Sequence, residues 1–264
     1  MVDDLMGVLS LPGLRLYFEA TEEPVCVLVA GGRPPEPWWL KSVGVDRCLW
    51  AVDAGADACR SASLIPHLVV GDLDSVSSRT LEWLTEYRVL LERYSRDKDK
   101  TDFQLALERW LLHPSRTLIV SGCWGGRFDH LWAVVHDCVR VRKAKLSFVC
   151  LADEQEAMVI MGDGDRGRIL PDGGFPPSIL SLLPLSDYVK GVTLEGVRWP
   201  LRDATLFREF SYTVSNQPLP LWASERDKGV DVSLGEGWMG LYLAWEDVGD
   251  RIFEARRKNE EAGP

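Results

Sequence analysis

Basic residues are outnumbered in this chain, long apolar runs are missing, and the cysteines form no Cys-x-x-Cys pair. Forty acidic against thirty basic residues give a formal net charge of −10. That excludes a protein that coats nucleic acid, whose domain would be basic. The same balance repels polyanions at long range, so any phosphate-binding site needs a metal ion and a few local cations. No apolar run approaches the roughly 18 residues that suggest a membrane span. The opening Met1-Val2-Asp3-Asp4 is acidic and reads as no secretory leader. The six cysteines (Cys26, Cys48, Cys59, Cys123, Cys138, Cys150) are scattered, several within apolar runs. A reduced cysteine there behaves as a small hydrophobe, which argues against disulfides or zinc and fits a cytoplasmic compartment. At 46% hydrophobic and 27% charged, the 264 residues read as an ordinary globular protein of one large or two modest domains.

What is present is organised around Val69-Val70-Gly71-Asp72-Leu73-Asp74-Ser75. An apolar lead-in from Leu64 to Val70 runs into a glycine and two carboxylates with one residue between them. In an open α/β sheet, ligands bind at the carboxyl ends of the strands. Paired hard oxygen ligands there suit Mg²⁺, which takes one or two protein carboxylates beside substrate phosphates. Asp, Gly and Ser are also ordinary turn residues, so one such stretch carries little. The pattern recurs, however. Val25 to Ala30 reads as a buried strand ending in Gly31-Gly32-Arg33, where backbone N–H groups can approach a phosphate. Cys48 to Val52 closes on Asp53. Val89 to Tyr94 is a further strand, and Thr117 to Val120 leads to Gly125-Gly126-Arg127-Phe128-Asp129-His130. His130 has no second histidine at ligand spacing and reads as a helix-start hydrogen bond.

Helical spacing marks Trp38 to Val43, Ser77 to Tyr87 and the stretch after His130. The charged run Arg96-Asp97-Lys98-Asp99-Lys100-Thr101-Asp102 is more than a solvated loop. Thr101 and Gln104 match a capping box, and Phe103, Ala106, Leu107, Trp110 and Leu111 trace one face. The run therefore enters a helix N-terminus, which favours anions.

Strands and helices alternate to about residue 145, implying a mostly parallel sheet covered on both faces. Afterwards short apolar stretches are punctuated by Gly, Pro, Asp and Asn. Leu146 to Leu151, Ala157 to Met161, Gly167 to Leu170, Ile179 to Pro184 and Val189 to Leu194 begin the series. Glu209 to Val214, Val230 to Leu234 and Met239 to Trp245 continue it, as an antiparallel β-sandwich. The expected division is an α/β domain over 1–145 and a β-sandwich with a charged tail over 146–264. Leu9 to Phe18 has no assigned place, and Val248 to Glu261 reads as a charged helix or a frayed tail.

These residues resemble the thiamine pyrophosphokinases. The resemblance rests on Ala51 to Ala56, Val70 to Ser75, Lys98 to Asp102 and Gly122 to His130. It continues through Leu182-Leu183-Pro184-Leu185, Val192 to Leu201 and Val214-Ser215-Asn216. Each motif is short, but their order over residues 25–245 is specific. The first twenty or so residues and the tail after about Trp245 extend beyond it, and Gln217 to Trp222 is richer in proline than the family's usual turn.

The resemblance implies ATP and thiamine as substrates, thiamine diphosphate and AMP as products, Mg²⁺ as cofactor, and a homodimer with thiamine bound at the subunit interface. It implies no nucleic-acid or membrane partner. Asp72, Asp74 and Asp102 are then the expected metal ligands, with Asp99 and Asp129 as further catalytic carboxylates. Asp53, Lys98, Thr101, Gly125, Gly126 and Arg127 are expected on the ATP phosphates, and Trp199, Ser215, Asn216 and Trp238 on thiamine. The competing readings are a diphosphokinase for another hydroxymethyl heterocycle such as a pterin, a non-catalytic thiamine- or nucleotide-binding protein, and a Mg²⁺-dependent phosphohydrolase.

Overall fold

The computed structural model describes residues 7–145, 147–172, 177–219 and 229–245. It opens with a hairpin, β1 (Gly7–Leu11) and β2 (Gly13–Phe18), antiparallel and turned at Pro12-Gly13 with Gly13 at φ 88°. The chain divides into two compact units, one of Ala20–Asp153 and one that joins Met1–Glu19 to Glu154–Pro264.

The first unit is α/β. In chain order it contains β3 (Val25–Val29), α1 (Pro37–Gly44), β4 (Cys48–Val52), α2 (Gly55–Ser61) and β5 (Leu68–Gly71). Then follow α3 (Ser78–Glu86), β6 (Leu90–Arg93), α4 (Asp102–Leu111), β7 (Thr117–Ser121), α5 (Phe128–Lys145) and β8 (Phe148–Ala152). The strands lie in the order β8-β7-β3-β4-β5-β6, every pair parallel. Every residue of β3, β7 and β8 is buried, which is why these strands read as continuous apolar runs rather than alternating ones. Successive strands step outward from β3 to β6, then β7 returns to the other side of β3. That reversal is the switch point beside which open α/β sheets take their ligands. Helix α4 starts on a full capping box, Thr101 accepting from the Gln104 N–H and Gln104 reaching back to Thr101. It buries Phe103, Ala106, Leu107 and Trp110.

The second unit is antiparallel. It adds β9 (Glu156–Met161), β10 (Arg166–Asp172), β11 (Ile179–Pro184), β12 (Tyr188–Glu195), β13 (Leu201–Phe207), β14 (Val230–Ser233) and β15 (Met239–Ala244). One sheet runs β1-β2-β10-β14-β12-β13, and a second set pairs as β11-β15-β9. The opening hairpin belongs here because β2 pairs with β10, Leu16 opposite Ile169, both fully buried.

Two features depart from expectation. The stretch Leu146 to Leu151 starts no antiparallel half: β8 is the last parallel strand, delivered beside β7 by the α5 crossover, and Leu146 itself lies outside the described residues. Glu209 to Val214 forms no strand, and the strand of this region is β13 just before it. Apolar alternation is weak in β13, which carries Arg202 and Asp203 and buries only Leu206, whereas Phe210, Tyr212 and Val214 have strand-like composition but stand exposed. The expectation for Val248 to Glu261 lies outside the described residues. Among the described residues, no helix is long and apolar enough to cross a membrane.

Candidate active site

The carboxyl ends of β4 and β5 and the start of α4 bring three carboxylates under one another's influence. Asp53 follows β4 in a left-handed conformation, φ 45°, with its N–H donating to the Val70 carbonyl. Its Oδ1 accepts the Leu73 N–H at 3.2 Å, so the β4 loop is stitched to the β5 loop. Burial, then the charge of Asp102 and, more weakly, that of Asp72, push the Asp53 carboxyl up to about 6. The Leu73 N–H and Lys98 oppose that shift without cancelling it. Negative charge is therefore in excess at this edge.

Leu73, at φ 66°, turns the chain so that the Asp74 N–H reaches Asp72 Oδ1 at 3.0 Å. That bond, aided by Lys98 and Arg96, holds the Asp72 carboxyl below its ordinary range. Asp72 thus stays ionised while Asp53 resists ionisation. Lys98 Nζ lies 2.9 Å from Asp102 Oδ1, with the two side chains only 16% and 17% exposed. The approach is close but off the line of a hydrogen bond, and Asp102 Oδ1 is buried with no hydrogen-bond partner. Lys98 also donates to the Ser95 carbonyl. Asp74 points outward, 3.6 Å from Arg96, a cation the sequence reading passed over. Asp99 is exposed in the same loop.

Across the switch point, Gly125 and Gly126 both sit at φ 67° in an exposed turn, and a Cβ on Gly126 would meet nothing within 4 Å. Arg127 turns back on Asp129 in a two-bonded, exposed pair. The Gly31-Gly32-Arg33 turn is less available to a phosphate than expected. The Gly32 N–H donates to Gly122 O, the Arg33 N–H to Trp124 O, and the Arg33 guanidinium to the buried Asp153 at 2.6 Å. Among the described residues, no three Asp, Glu, His or Cys side chains group tightly enough to hold a metal ion unaided.

In the antiparallel unit, Trp199, Ser215 and Asn216 line one groove of about 420 Å³ with Leu182, Leu201 and Tyr212. Its apolar floor and few polar groups suit a small heterocycle. Asn216 is committed to the backbone: Oδ1 accepts the Trp199 and Gln217 N–H groups, and Nδ2 donates to Trp199 O at 2.7 Å. It therefore positions Trp199, whose ring is half exposed with the Arg198 guanidinium 4.7 Å from its centroid. Trp238 lies outside this lining, its ring over Gly162 so closely that a Cβ there would come within 2.6 Å. Sequence reading placed Leu182 in a family motif but missed Tyr212, which stands in a turn after β13 and carries no motif of its own.

Residues 44–150 match the family model described as thiamin pyrophosphokinase, catalytic domain, and residues 174–222 match thiamin pyrophosphokinase, vitamin B1 binding domain. Together the two matches take in more than half of the chain. The first includes the candidate residues of the α/β unit from Asp53 to Asp129, the second Trp199, Ser215 and Asn216. The thiamine pyrophosphokinase of Bacillus subtilis (strain 168) is 27% identical over 192 residues, 72% of this chain and 87% of that protein. A crystal structure of the Bacillus subtilis thiamine pyrophosphokinase has a TM-score of 0.73 at 21% identity, covering 84% of this chain and 100% of that one. A thiamin pyrophosphokinase family protein from Enterococcus faecalis has a TM-score of 0.69 at 25% identity, covering 85% and 100%.

Proposed function

The chain belongs to the thiamin pyrophosphokinase family, and we propose that its acidic strand edge and aromatic groove divide the work of moving a pyrophosphoryl group from ATP to thiamine. The products are thiamine diphosphate and AMP: the thiamine hydroxyl oxygen attacks the β-phosphorus, and the bond to the α-phosphate oxygen breaks. The observation that carries the assignment of the site is Asp53 and Asp72, at the carboxyl ends of β4 and β5, grouped with Asp102 at the start of α4 and Lys98 just before it.

Phosphoryl transfer is catalysed mostly by positioning and electrostatic stabilisation. The donors suit Mg²⁺: they are hard carboxylates, Asp102 Oδ1 is buried without a hydrogen bond, and burial, then the charge of Asp102, works against an ionised Asp53. Asp72 and Asp102 would hold the ion, Asp74 assisting. A set too sparse to bind metal alone is what Mg²⁺ uses when substrate phosphates complete its shell. Bound there, the ion supplies neutralisation of charge on the phosphate chain. Lys98 and Arg127 contribute positive charge to the transferred and departing groups, Arg127 after leaving Asp129. Gly125 and Gly126 offer backbone N–H groups in an open turn, and Thr101 fixes the start of α4. Asp99 and Asp129 stand as exposed carboxylates that the nucleotide can draw in. Asp53 holds the Leu73 turn and orients the incoming hydroxyl. A loose transition state asks little of its nucleophile, so no strong base is required.

On the thiamine side, Trp199 offers an indole face to a cationic ring, an interaction of roughly 0.5–2 kcal/mol, while Ser215 and Asn216 shape the turn that presents it. Trp238 would contribute only from the margin. Exposed Trp199, Tyr212 and Val214 in the lining of this groove support a homodimer in which a second subunit covers it, and six unbridged thiols support a reducing cytoplasm. The test is an acceptor panel of thiamine, a hydroxymethylpterin and no acceptor, with ATP and Mg²⁺, scored for AMP. AMP released only with thiamine is expected. AMP released equally with the pterin, or phosphate released without acceptor, overturns the reading.

A further inference from the structure

At the opposite, amino-terminal edge of the parallel sheet lies an open cavity of about 710 Å³ that the reaction above does not use. Its lining includes Cys48, His67, His113, Asp46 and Arg47. Cys48 is the one cysteine of the six that is not buried. Its Sγ lies 3.6 Å from His113 Nε2. The Ser115 N–H donates to His113 Nδ1 at 3.2 Å, so Nδ1 is the acceptor and the proton sits on Nε2, directed at the sulfur. Burial, then the charges of Lys145, Arg109 and His67, keep the imidazole neutral and able to serve as that donor. Trp50 holds the ring edge-on at 5.3 Å between centroids. On the other side of Cys48 stands Cys26, its register partner on the adjacent parallel strand.

We propose that Cys48 is a modification site for small hydroperoxides, with Cys26 as the thiol that resolves it to a disulfide. The Cys48 sulfur attacks one peroxide oxygen. An S–O bond forms as the O–O bond breaks, two electrons pass from sulfur to the peroxide, and the other oxygen leaves as an alcohol, or as water from hydrogen peroxide. The Cys26 sulfur then attacks Cys48; an S–S bond forms, the S–O bond breaks, and hydroxide departs with the Cys26 proton as water. Overall two thiols and one hydroperoxide give a disulfide, an alcohol and water. Neighbouring strands run about 4.7–4.9 Å apart, inside the roughly 4.4–6.8 Å between Cα atoms that a disulfide spans. Attack needs thiolate character and access. The Cys26 thiol, hydrogen-bonded to Cys48, draws the Cys48 proton affinity down and keeps its own proton. Cys59 and Cys150 are the contrast, since burial pushes both up to about 12.

The experiment treats the reduced full chain with one equivalent of hydrogen peroxide, blocks remaining thiols with iodoacetamide and maps peptides by mass. The expected result is a fall from six free thiols to four, one cross-linked pair holding Cys26 and Cys48, and reversal by dithiothreitol. In Cys26→Ala, dimedone is expected to trap Cys48 as a sulfenic acid. In His113→Gln, Cys48 alkylation is expected to slow about tenfold. Oxidation spread evenly over the six thiols, or a wild-type protein with no Cys26–Cys48 peptide, overturns the proposal and needs no variant to fold.

Discussion

A Cβ on Gly71 would stand 1.8 Å from Oδ1 of Asp53. The carboxylate rests directly on the backbone of the strand that ends at the Asp72–Asp74 turn, and Gly71 itself is at φ 148°. Gly71→Ala must therefore push Asp53 away and strain the backbone. We expect a loss of about 1–3 kcal/mol in urea unfolding together with at least a tenfold drop in turnover. An unchanged midpoint with full activity would show that the two loops are not locked together.

Asp72 is well solvated and held ionised, so its removal tests charge rather than packing. Asp72→Asn is expected to cut thiamine-dependent AMP release by about a hundredfold or more while leaving the circular dichroism spectrum unchanged. Near-wild-type turnover in the folded variant removes Asp72 from the mechanism.

The groove residues divide the two substrates. Trp199→Ala is expected to raise the KM for thiamine about threefold to tenfold, the loss of a cation over an indole face, with a much smaller change for ATP. Equal changes for both would reduce Trp199 to packing.

Asp57 on α2 offers a prediction in pH. Its carboxylate accepts the Ser77 hydroxyl and N–H and the Thr80 hydroxyl, tying α2 to the start of α3. Burial alone would raise its carboxyl, but those donors and Arg60 outweigh burial and lower it. A carboxyl depressed in the folded state stabilises the fold above the unfolded value of about 3.9, and that contribution is lost as pH falls through the folded value. Asp57→Asn should therefore cost about 1 kcal/mol at pH 7 and less at pH 2.5, below the unfolded value. Denaturation at the two pH values checks it, and an equal cost at both would assign the effect to shape alone.

Much of the α/β unit was legible because parallel strands buried on both faces leave unbroken apolar runs, as at Val25 to Val29 and Thr117 to Val120. The Thr101–Gln104 capping box lay within four consecutive residues and could be read directly. What could not be read depends on partners far along the chain. Arg33 looks like a phosphate cation until Asp153, 120 residues away, is seen to hold it. Asn216 looks like a ligand contact until its amide is found clamped to the backbone of Trp199. The Leu9 to Phe18 segment alternates well enough for a strand pair, yet nothing local names β10 as the strand it joins. The Asp53 shift, likewise, comes from burial and from charges on two other loops.

The placement of the opening hairpin bears on how the chain is made. Strand β2 needs β10, which begins at Arg166, so a ribosome must add well over a hundred residues before that hairpin meets its neighbour. The α/β unit is continuous from Ala20 to Asp153 and can close while synthesis is still under way. Meanwhile β1 and β2 wait as an unattached pair with one apolar side, a state in which a two-stranded ribbon is marginal at best. Nascent molecules thus carry an unpaired apolar hairpin until β10 has been made, and a chaperone acting early would find its natural target there.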